Sequence, residues 1–272
     1  MTAEPQGWLA FALLGKSVFV LAWLLAIILI ENHWSASIVP LRIAGYGADW
    51  FARWGRNLGF FALNAGLAPL LVLPVTFYAA AHPLWTRPAF LSFPLALPLD
   101  LLILDCWIYW WHRANHELPI LWRFHEVHHR DEFLDATSAV RFHFGEVMIS
   151  AVVRAVVIFL LAIPLGSVIV FETLILLAAI FHHSNWRLPE AIEPRLARFI
   201  ITPSLHWVHH HAKKSDTDSI YGTVLSLWDR LFDSGPNINR RRDMPIGVEG
   251  EEELDLLRLI ALPFYRGPFY RG

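Results

Sequence analysis

The chain has 272 residues, of which 56% are hydrophobic and only 17% charged, whereas a typical soluble domain is about a quarter charged. A net charge of -2, with no basic tract interleaved with aromatics, gives no pull toward nucleic acid, which is not expected as a partner. The lone cysteine, Cys106, excludes an internal disulfide framework, a cysteine-rich zinc module and a built-in iron–sulfur cluster.

A membrane-spanning helix needs about 20 mostly apolar residues. The first candidate runs from Trp8 to Ile30; the start before it, Met1 to Gly7, lacks the basic residues of a signal peptide, so this run is read as a span. His33 to Asn57, rich in Trp, Arg and small residues, reads as an interfacial stretch lying on the membrane. Further spans are expected at Leu58 to Ala81 and Leu91 to Trp111. The apolar stretch from Val147 to Phe181 is interrupted by Ile163-Pro164-Leu165-Gly166-Ser167, a turn signal that predicts a hairpin of two short spans. The expected fold is an all-α, polytopic membrane helix bundle of about five spans, the last two a hairpin. One domain over 1–272 is expected, with a motif-bearing core at 101–234 and a C-terminal tail at 235–272.

Three histidine groups stand out: His112-x-x-x-His116, His125-x-x-His128-His129 and His206-x-x-His209-His210. Residues three and four apart share a helix face, so each group aims imidazoles at one point, as metal ligands require. Thr202-Pro203 before the third group is a helix-start signature; His211 continues the run but faces elsewhere on the helix. Isolated His33 and His82 carry no such signal. Asp105, Tyr109, His112 and His116 follow one another at steps of four, three and four, and a carboxylate so placed can accept the second ring N–H of a ligand histidine. His143 with Glu146, and His182-His183-Ser184-Asn185 at the end of the hairpin, complete the candidates. Eight to ten imidazoles are too many for one ion and argue for two metals, although ligand type alone leaves zinc, copper, iron and nickel open. Because a hairpin returns the chain to the side it left, all groups fall on one membrane face, and the arginine and lysine distribution makes that face cytoplasmic, with Arg87 alone on the other. Lys16 and Arg154 fall inside spans without a nameable partner, and no role follows for them.

From Leu101 to Ser234 the chain resembles the fatty acid hydroxylase/sterol desaturase superfamily of integral membrane di-iron, histidine-box proteins. The resemblance is carried by Asp105-x-x-x-Tyr109-x-x-His112-Arg-x-x-His116, Leu121-Trp-Arg-Phe-His125-x-x-His128-His129, Arg141-x-His143-x-x-Glu146, Phe181-x-His183-Ser-Asn185, His206-x-x-His209-His210 and Trp228-Asp-Arg-Leu-Phe232. Departures are Phe144 in place of a common Pro, Ile220 where Asn often precedes Tyr221-Gly222, and Asp233-Ser234 in place of Gly-Thr.

The resemblance implies iron ligands at His112, His116, His125, His128, His129, His206, His209 and His210, with His143 and His183 as additions. Asp105, Tyr109, Glu146 and Asn185 are expected as supporting or substrate-side residues. It implies two non-haem iron ions and O2 as co-substrate, with hydroxylation or desaturation of a sterol, fatty acyl or related lipid. Electrons must come from a separate reductase or electron carrier, since the chain has no haem, flavin or nicotinamide motif. The competing readings are a membrane zinc hydrolase and a metal-binding or transport protein. The expected location is a bacterial inner membrane or the endoplasmic reticulum, with the histidines cytoplasmic.

Overall fold

The computed structural model describes residues 5–39 and 48–265. Two long helices open it, α1 (Pro5–His33) and α2 (Ala48–Ala81). Then come α3 (Leu97–Glu117), α4 (Pro119–His129), α5 (Phe144–Leu161) and α6 (Leu165–His183). Short helices follow, α7 (Glu193–Leu196), α8 (Pro203–His209), α9 (Lys214–Thr217) and α10 (Leu227–Leu231), and α11 (Leu256–Tyr265) ends the described chain. Only isolated bridges, and no strands, occur among the described residues. The bundle is a polytopic, all-helical one.

Among the described residues four helices are long and apolar enough to cross a membrane, at Leu14–His33, Asp49–Ala81, Phe144–Leu161 and Leu165–His183. Their outward faces leave Leu25, Leu29, Leu70, Val152 and Val156 exposed, as lipid-facing positions must be. Helix α3, expected as a span from Leu91 to Trp111, is not among them: it begins at Leu97 and carries Asp100, Asp105 and Arg113. It nevertheless runs between the same two ends as the α5–α6 hairpin. At its start Asp100 accepts from Arg87 Nη1 at 2.7 Å and from Ser167 Oγ at 2.6 Å, beside the hairpin turn; at its other end stand His112 and His116.

Local chemistry sets the breaks. Leu118 lies extended, as the residue before a proline prefers, so it closes α3 while Pro119 opens α4. Ala162 takes a left-handed turn at φ 52° and Pro164 caps α6, which makes the predicted hairpin. Of the stretch expected to lie on the membrane, residues 40–47 fall outside the described residues. From Ala48 to Asn57 the chain is the first part of α2, with one side exposed at Phe51 and the other burying Arg53 and Asn57 fully.

The reason is a buried ion network. Arg53 Nε and Nη2 bind the two oxygens of Asp131 at 2.6 and 2.8 Å, while Nη1 reaches Asp135 at 2.6 Å. Nη2 also meets the carbonyl of Phe133 at 2.6 Å. Burial pushes the Asp131 carboxyl up, but Arg53 and Arg141 outweigh it and hold the group below the ordinary carboxylate range. Arg141 in turn donates to the Val127 carbonyl and to both oxygens of Glu253. The segment that follows α4 is therefore fastened to α2 and to the C-terminal region by charges with almost no access to water.

Breaking such a network by removing one partner leaves uncompensated buried charge. Arg53→Met is expected to lower stability by about 3–5 kcal/mol, read as the denaturation midpoint in detergent. Arg258→Met, which removes an exposed arginine paired only with Asp255, should leave the midpoint nearly unchanged.

Candidate metal centre

Helices α3, α4, α6 and α8 meet at one end of the bundle and bring nine histidines into two adjoining groups. In the first, His112, His116, His125, His129 and His209 each offer a ring nitrogen, and these atoms lie within 4.8 Å of one another. In the second, His128, His183, His206 and His210 do the same. Adjacent residues at the ends of α4 and α8 serve different groups: His128 and His210 face the second, His129 and His209 the first. The stacked rings of His129 and His210, with centroids 4.2 Å apart, join the two.

In the first group every ring but that of His129 has its outward nitrogen engaged, leaving the inward one free. His112 Nδ1 meets the Tyr221 carbonyl at 3.0 Å, His209 Nδ1 the Ser219 carbonyl at 2.6 Å, and His125 Nδ1 the Glu146 carboxylate at 2.9 Å. His116 Nδ1 lies 3.4 Å from Asp218. With Nδ1 bonded outward, each ring presents Nε2 as a lone pair. The Nε2 atoms of His116, His125 and His209 are buried and have no hydrogen-bond partner among the described residues, nor does either ring nitrogen of His129.

The second group is tighter. His128 Nδ1 donates to the Arg141 carbonyl at 3.1 Å and His183 Nδ1 to the Ala179 carbonyl at 2.8 Å, so in both neutral rings Nε2 is an acceptor. Those two acceptors lie 3.0 Å apart, and His206 Nε2 is 3.0 Å from His183 Nε2 and 3.2 Å from His210 Nε2. Protonation offers little escape: burial, then the neighbouring imidazoles, push His128, His129, His206 and His210 well below the ordinary histidine range, and burial takes His209 down to about 3. Facing lone pairs that resist protons are the donor set of a cation.

The carbonyls holding His209 and His112 belong to Ser219 and Tyr221, on either side of Ile220. Ile220 is left-handed at φ 56°, a conformation that a β-branched residue adopts only at a cost and that Asn tolerates far better. The position matters for backbone direction, then, and not for a side-chain hydrogen bond: Ile220 buries its side chain with Ile201, Val208 and Met244. Asp233, at φ 53°, is likewise left-handed where the pattern has glycine. Gly222 is required, since a Cβ there would meet Asp229 Oδ2 at 2.6 Å. Asp229, pushed up to about 6 by burial, accepts from the Tyr221 and Gly222 amides and from Ser234.

Other predicted residues lie elsewhere. His143 is in neither group: its Nδ1 caps α5 by accepting from Gly145 N at 3.0 Å, and its Nε2 meets the Ile260 carbonyl at 3.0 Å. Asp105 does not receive a histidine N–H; it accepts from Trp228 Nε1 at 2.8 Å and Leu225 N at 3.2 Å, holding α10 on α3. Tyr109 meets Ser234 Oγ at 2.8 Å. Asn185 pairs with the backbone of Ser37 through both side-chain ends. Of the four supporting candidates only Glu146 touches a histidine of the groups. Thr202 does start α8, but its hydroxyl makes no cap bond. His182 packs 4.0 Å from the His206 ring without joining a group, and His211 turns away to Asp216 at 2.7 Å. The partners that sequence reasoning missed are mostly carbonyls (Tyr221, Ser219, Arg141 and Ala179), for which no residue-type signal exists. Asp218, three residues before Tyr221, had one only as a carboxylate near a motif.

A cavity of about 360 Å³ opens beside both groups, lined by His112, His125, His128, His183 and His206 on one wall. Phe61, Val72, Ile108, Ile175 and Leu176 add an apolar lining from the membrane helices.

A family model described as fatty acid hydroxylase matches residues 97–234, just over half of the chain. The chain belongs to the fatty acid hydroxylase family. Among its relatives in the wider fatty acid hydroxylase/sterol desaturase superfamily, the ornithine lipid hydroxylase OlsE of Rhizobium tropici is 29% identical over 62% of this chain and 50% of its own length. The alkylglycerol monooxygenase of Danio rerio is 31% identical over 63% of this chain and 39% of its own. A very-long-chain aldehyde decarbonylase of rice is 31% identical over 46% of this chain and 23% of its own. The chain thus aligns with half or less of the length of these relatives. No solved structure matches it.

Orienting partners of ligand histidines are each worth about 10–100-fold in metal affinity. Glu146→Ala is therefore expected to weaken metal retention by about that factor, measured by equilibrium dialysis against a chelator. Asp105→Ala, which loosens α10, should lower thermal stability and leave the chelator midpoint in place.

Proposed function

We propose that the protein is a membrane-bound di-iron oxygenase that uses O2 and two electrons to hydroxylate or desaturate an unactivated C–H position of a lipid. The observation that carries this reading is the junction of two all-imidazole groups with an apolar cavity between membrane helices. The donor set fits two metal ions: nine neutral nitrogen donors exceed what one tetrahedral zinc takes, and imidazole suits iron. His112, His116, His125, His129 and His209 would hold one ion, and His128, His183, His206 and His210 the other. Iron bound there supplies the redox chemistry that C–H oxidation by O2 demands and that zinc lacks.

The chain's own residues position and enclose. Glu146 and the carbonyls of Tyr221, Ser219, Arg141 and Ala179 fix ring orientation before any ligand arrives. Trp111 and Phe142 line the cavity at the histidine wall and exclude water from the position an alkyl chain would take. His182 lines the same cavity, and its buried Nδ1 has no partner among the described residues. The relatives named for lipid hydroxylation and ether-lipid oxygenation support a lipid as substrate here. Residues 1–272 would act as one domain, its core at 101–234 and a tail at 235–272 that docks through Glu253 and α11.

The histidine end carries Arg113, Arg123, Arg130, Arg141, Lys213, Lys214 and Arg240 to Arg242, while Arg87 lies at the other; by the positive-inside rule this distribution supports a cytoplasmic histidine face. Electrons would come from a separate carrier or reductase on that face. A smaller cavity of about 170 Å³, lined by His116, Trp122, Lys214, Asp218 and Glu249, reaches the first group from outside the spans and offers such a donor the nearest approach.

Protein purified in detergent after growth on labelled iron is expected to hold about two irons per chain, one per histidine group, seen as a coupled pair by Mössbauer spectroscopy. His129→Ala and His183→Ala should each disrupt the pair from opposite sides. Stoichiometric zinc after iron-replete, anaerobic purification, or no metal, would reject the oxygenase and leave hydrolysis or metal binding.

A further inference from the structure

Three charged side chains meet inside the membrane part of the bundle, each from a different helix. Glu172 of α6 accepts from Lys16 Nζ of α1 at 3.1 Å through Oε2 and from Arg154 Nη2 of α5 at 2.8 Å through Oε1. All three are largely buried, at 20%, 20% and 12% side-chain exposure for Glu172, Lys16 and Arg154. Two cations share one carboxylate, so the cluster carries a net positive charge where charge is costly. Among the described residues no second carboxylate pairs with the cluster: α2, which packs along α5, has no charged residue between Leu58 and Ala81, Asp100 of α3 is engaged by Arg87 and Ser167, Asp105 by Trp228 and Leu225, and Glu146 of α5 by His125.

Two further facts point to a ligand. Arg154 and Glu172 both line the cavity whose other wall holds the histidines. Arg154 Nε is buried and has no acceptor among the described residues, so its guanidinium is half-used. A charged N–H buried without an acceptor is expensive unless something supplies one. Eight residues separate Glu146 from Arg154 along α5 and eleven separate Glu172 from His183 along α6, which sets the cluster about 12–16 Å from the histidines at 1.5 Å per residue. An extended alkyl chain bridges such a distance.

We propose that Arg154, supported by Lys16 and Glu172, anchors an anionic oxygen group of the substrate, a carboxylate or a phosphate, so that the attached chain reaches the histidine groups. This rests on the reading of the cavity as a lipid site and deepens it. Arg154 is the binding residue; Glu172 orients it and tempers its charge; Lys16 adds the excess positive charge that favours an anion over a neutral polar group.

The test is direct binding of tritiated hexadecanoic acid, hexadecyl phosphate and methyl hexadecanoate to the full-length protein in dodecyl maltoside, without reference to turnover. The acid or the phosphate is expected to bind about tenfold or more tighter than the ester, the weight of one charge-assisted hydrogen bond, and which of the two prevails identifies the group. Arg154→Gln should erase the preference and leave ester binding in place, whereas Glu172→Gln, by removing the competing carboxylate, should strengthen anion binding. Equal binding of acid, phosphate and ester by the wild-type protein overturns the proposal, as does an Arg154→Gln variant that loses ester and acid alike, the mark of a purely structural clamp. The wild-type comparison decides even if a variant does not fold. An anion preference in protein that holds zinc would sink the oxygenase and keep the anchor. Bound iron pairs in protein that shows no preference would do the reverse.

Discussion

Two imidazole nitrogens that both carry lone pairs sit 3.0 Å apart where the histidine groups meet, on His128 and His183, and nothing among the described residues reconciles them. Each has already given its Nδ1 proton to a helix or loop carbonyl, so neither can rotate its role without breaking a buried hydrogen bond. Protonation is opposed by burial and by the neighbouring rings. A polypeptide that folds into this state without a cation would carry a repulsion it could relieve only by opening α4 away from α6. The arrangement makes sense when folding and metal binding are parts of one equilibrium, with carbonyls and Glu146 choosing tautomers in advance.

The rest of the fold keeps that arrangement from relaxing. Helix α4 is short and, by itself, marginal in water; its two faces must be held from outside. Arg141 does this from one side, because its backbone carbonyl takes the His128 proton while its guanidinium is clamped by Glu253 and the Val127 carbonyl. Arg53 does it from α2, through Asp131 and Asp135 just beyond the helix end. Buried ion pairs are poor sources of net stability, but they punish every alternative geometry that leaves a charge unpaired. Here specificity of position is what the site needs, and α2 supplies it by reaching past the span into the histidine region.

Much of this was legible as pattern. Spacings of four put His112 with His116, His125 with His129 and His206 with His210, whereas residues three apart, His125 and His128 or His206 and His209, turn to different groups; the Pro164-Leu165-Gly166 signal gave the hairpin, and apolar runs gave the crossing helices except α3. What stayed hidden involves either the backbone or a partner far away in sequence. Asp105 stands two turns before His112 on the same helix face, yet the fold brings Trp228 to it first, a contact 123 residues apart. His143 looks like a ligand by composition, but it lies at the start of α5, where the amide of Gly145 claims its lone pair. The neighbours that orient His112 and His209 are carbonyls around a left-handed Ile220, and side-chain identity says nothing about where a carbonyl points. Lys16 and Arg154 seemed unpartnered because Glu172 lies in an apolar helix whose periodicity gives no hint of which helix it faces.

That last case bears on how a lipid could be held with the precision C–H chemistry needs. An alkyl chain in an apolar tunnel is free to slide, since dispersion contacts change little when it shifts by one methylene. Sliding is stopped only by an interaction that falls off steeply with distance, and in a membrane helix bundle the available one is a charged or hydrogen-bonding group at a fixed depth. Shape alone, from Trp111 and Phe142 at the histidine wall, can close one end of the cavity but cannot index the chain along it. Fixing which carbon lies at the histidines therefore calls for a polar feature remote from them. Among the described residues the Lys16–Glu172–Arg154 cluster is a polar feature at that remove, facing the same cavity and still holding an unused donor.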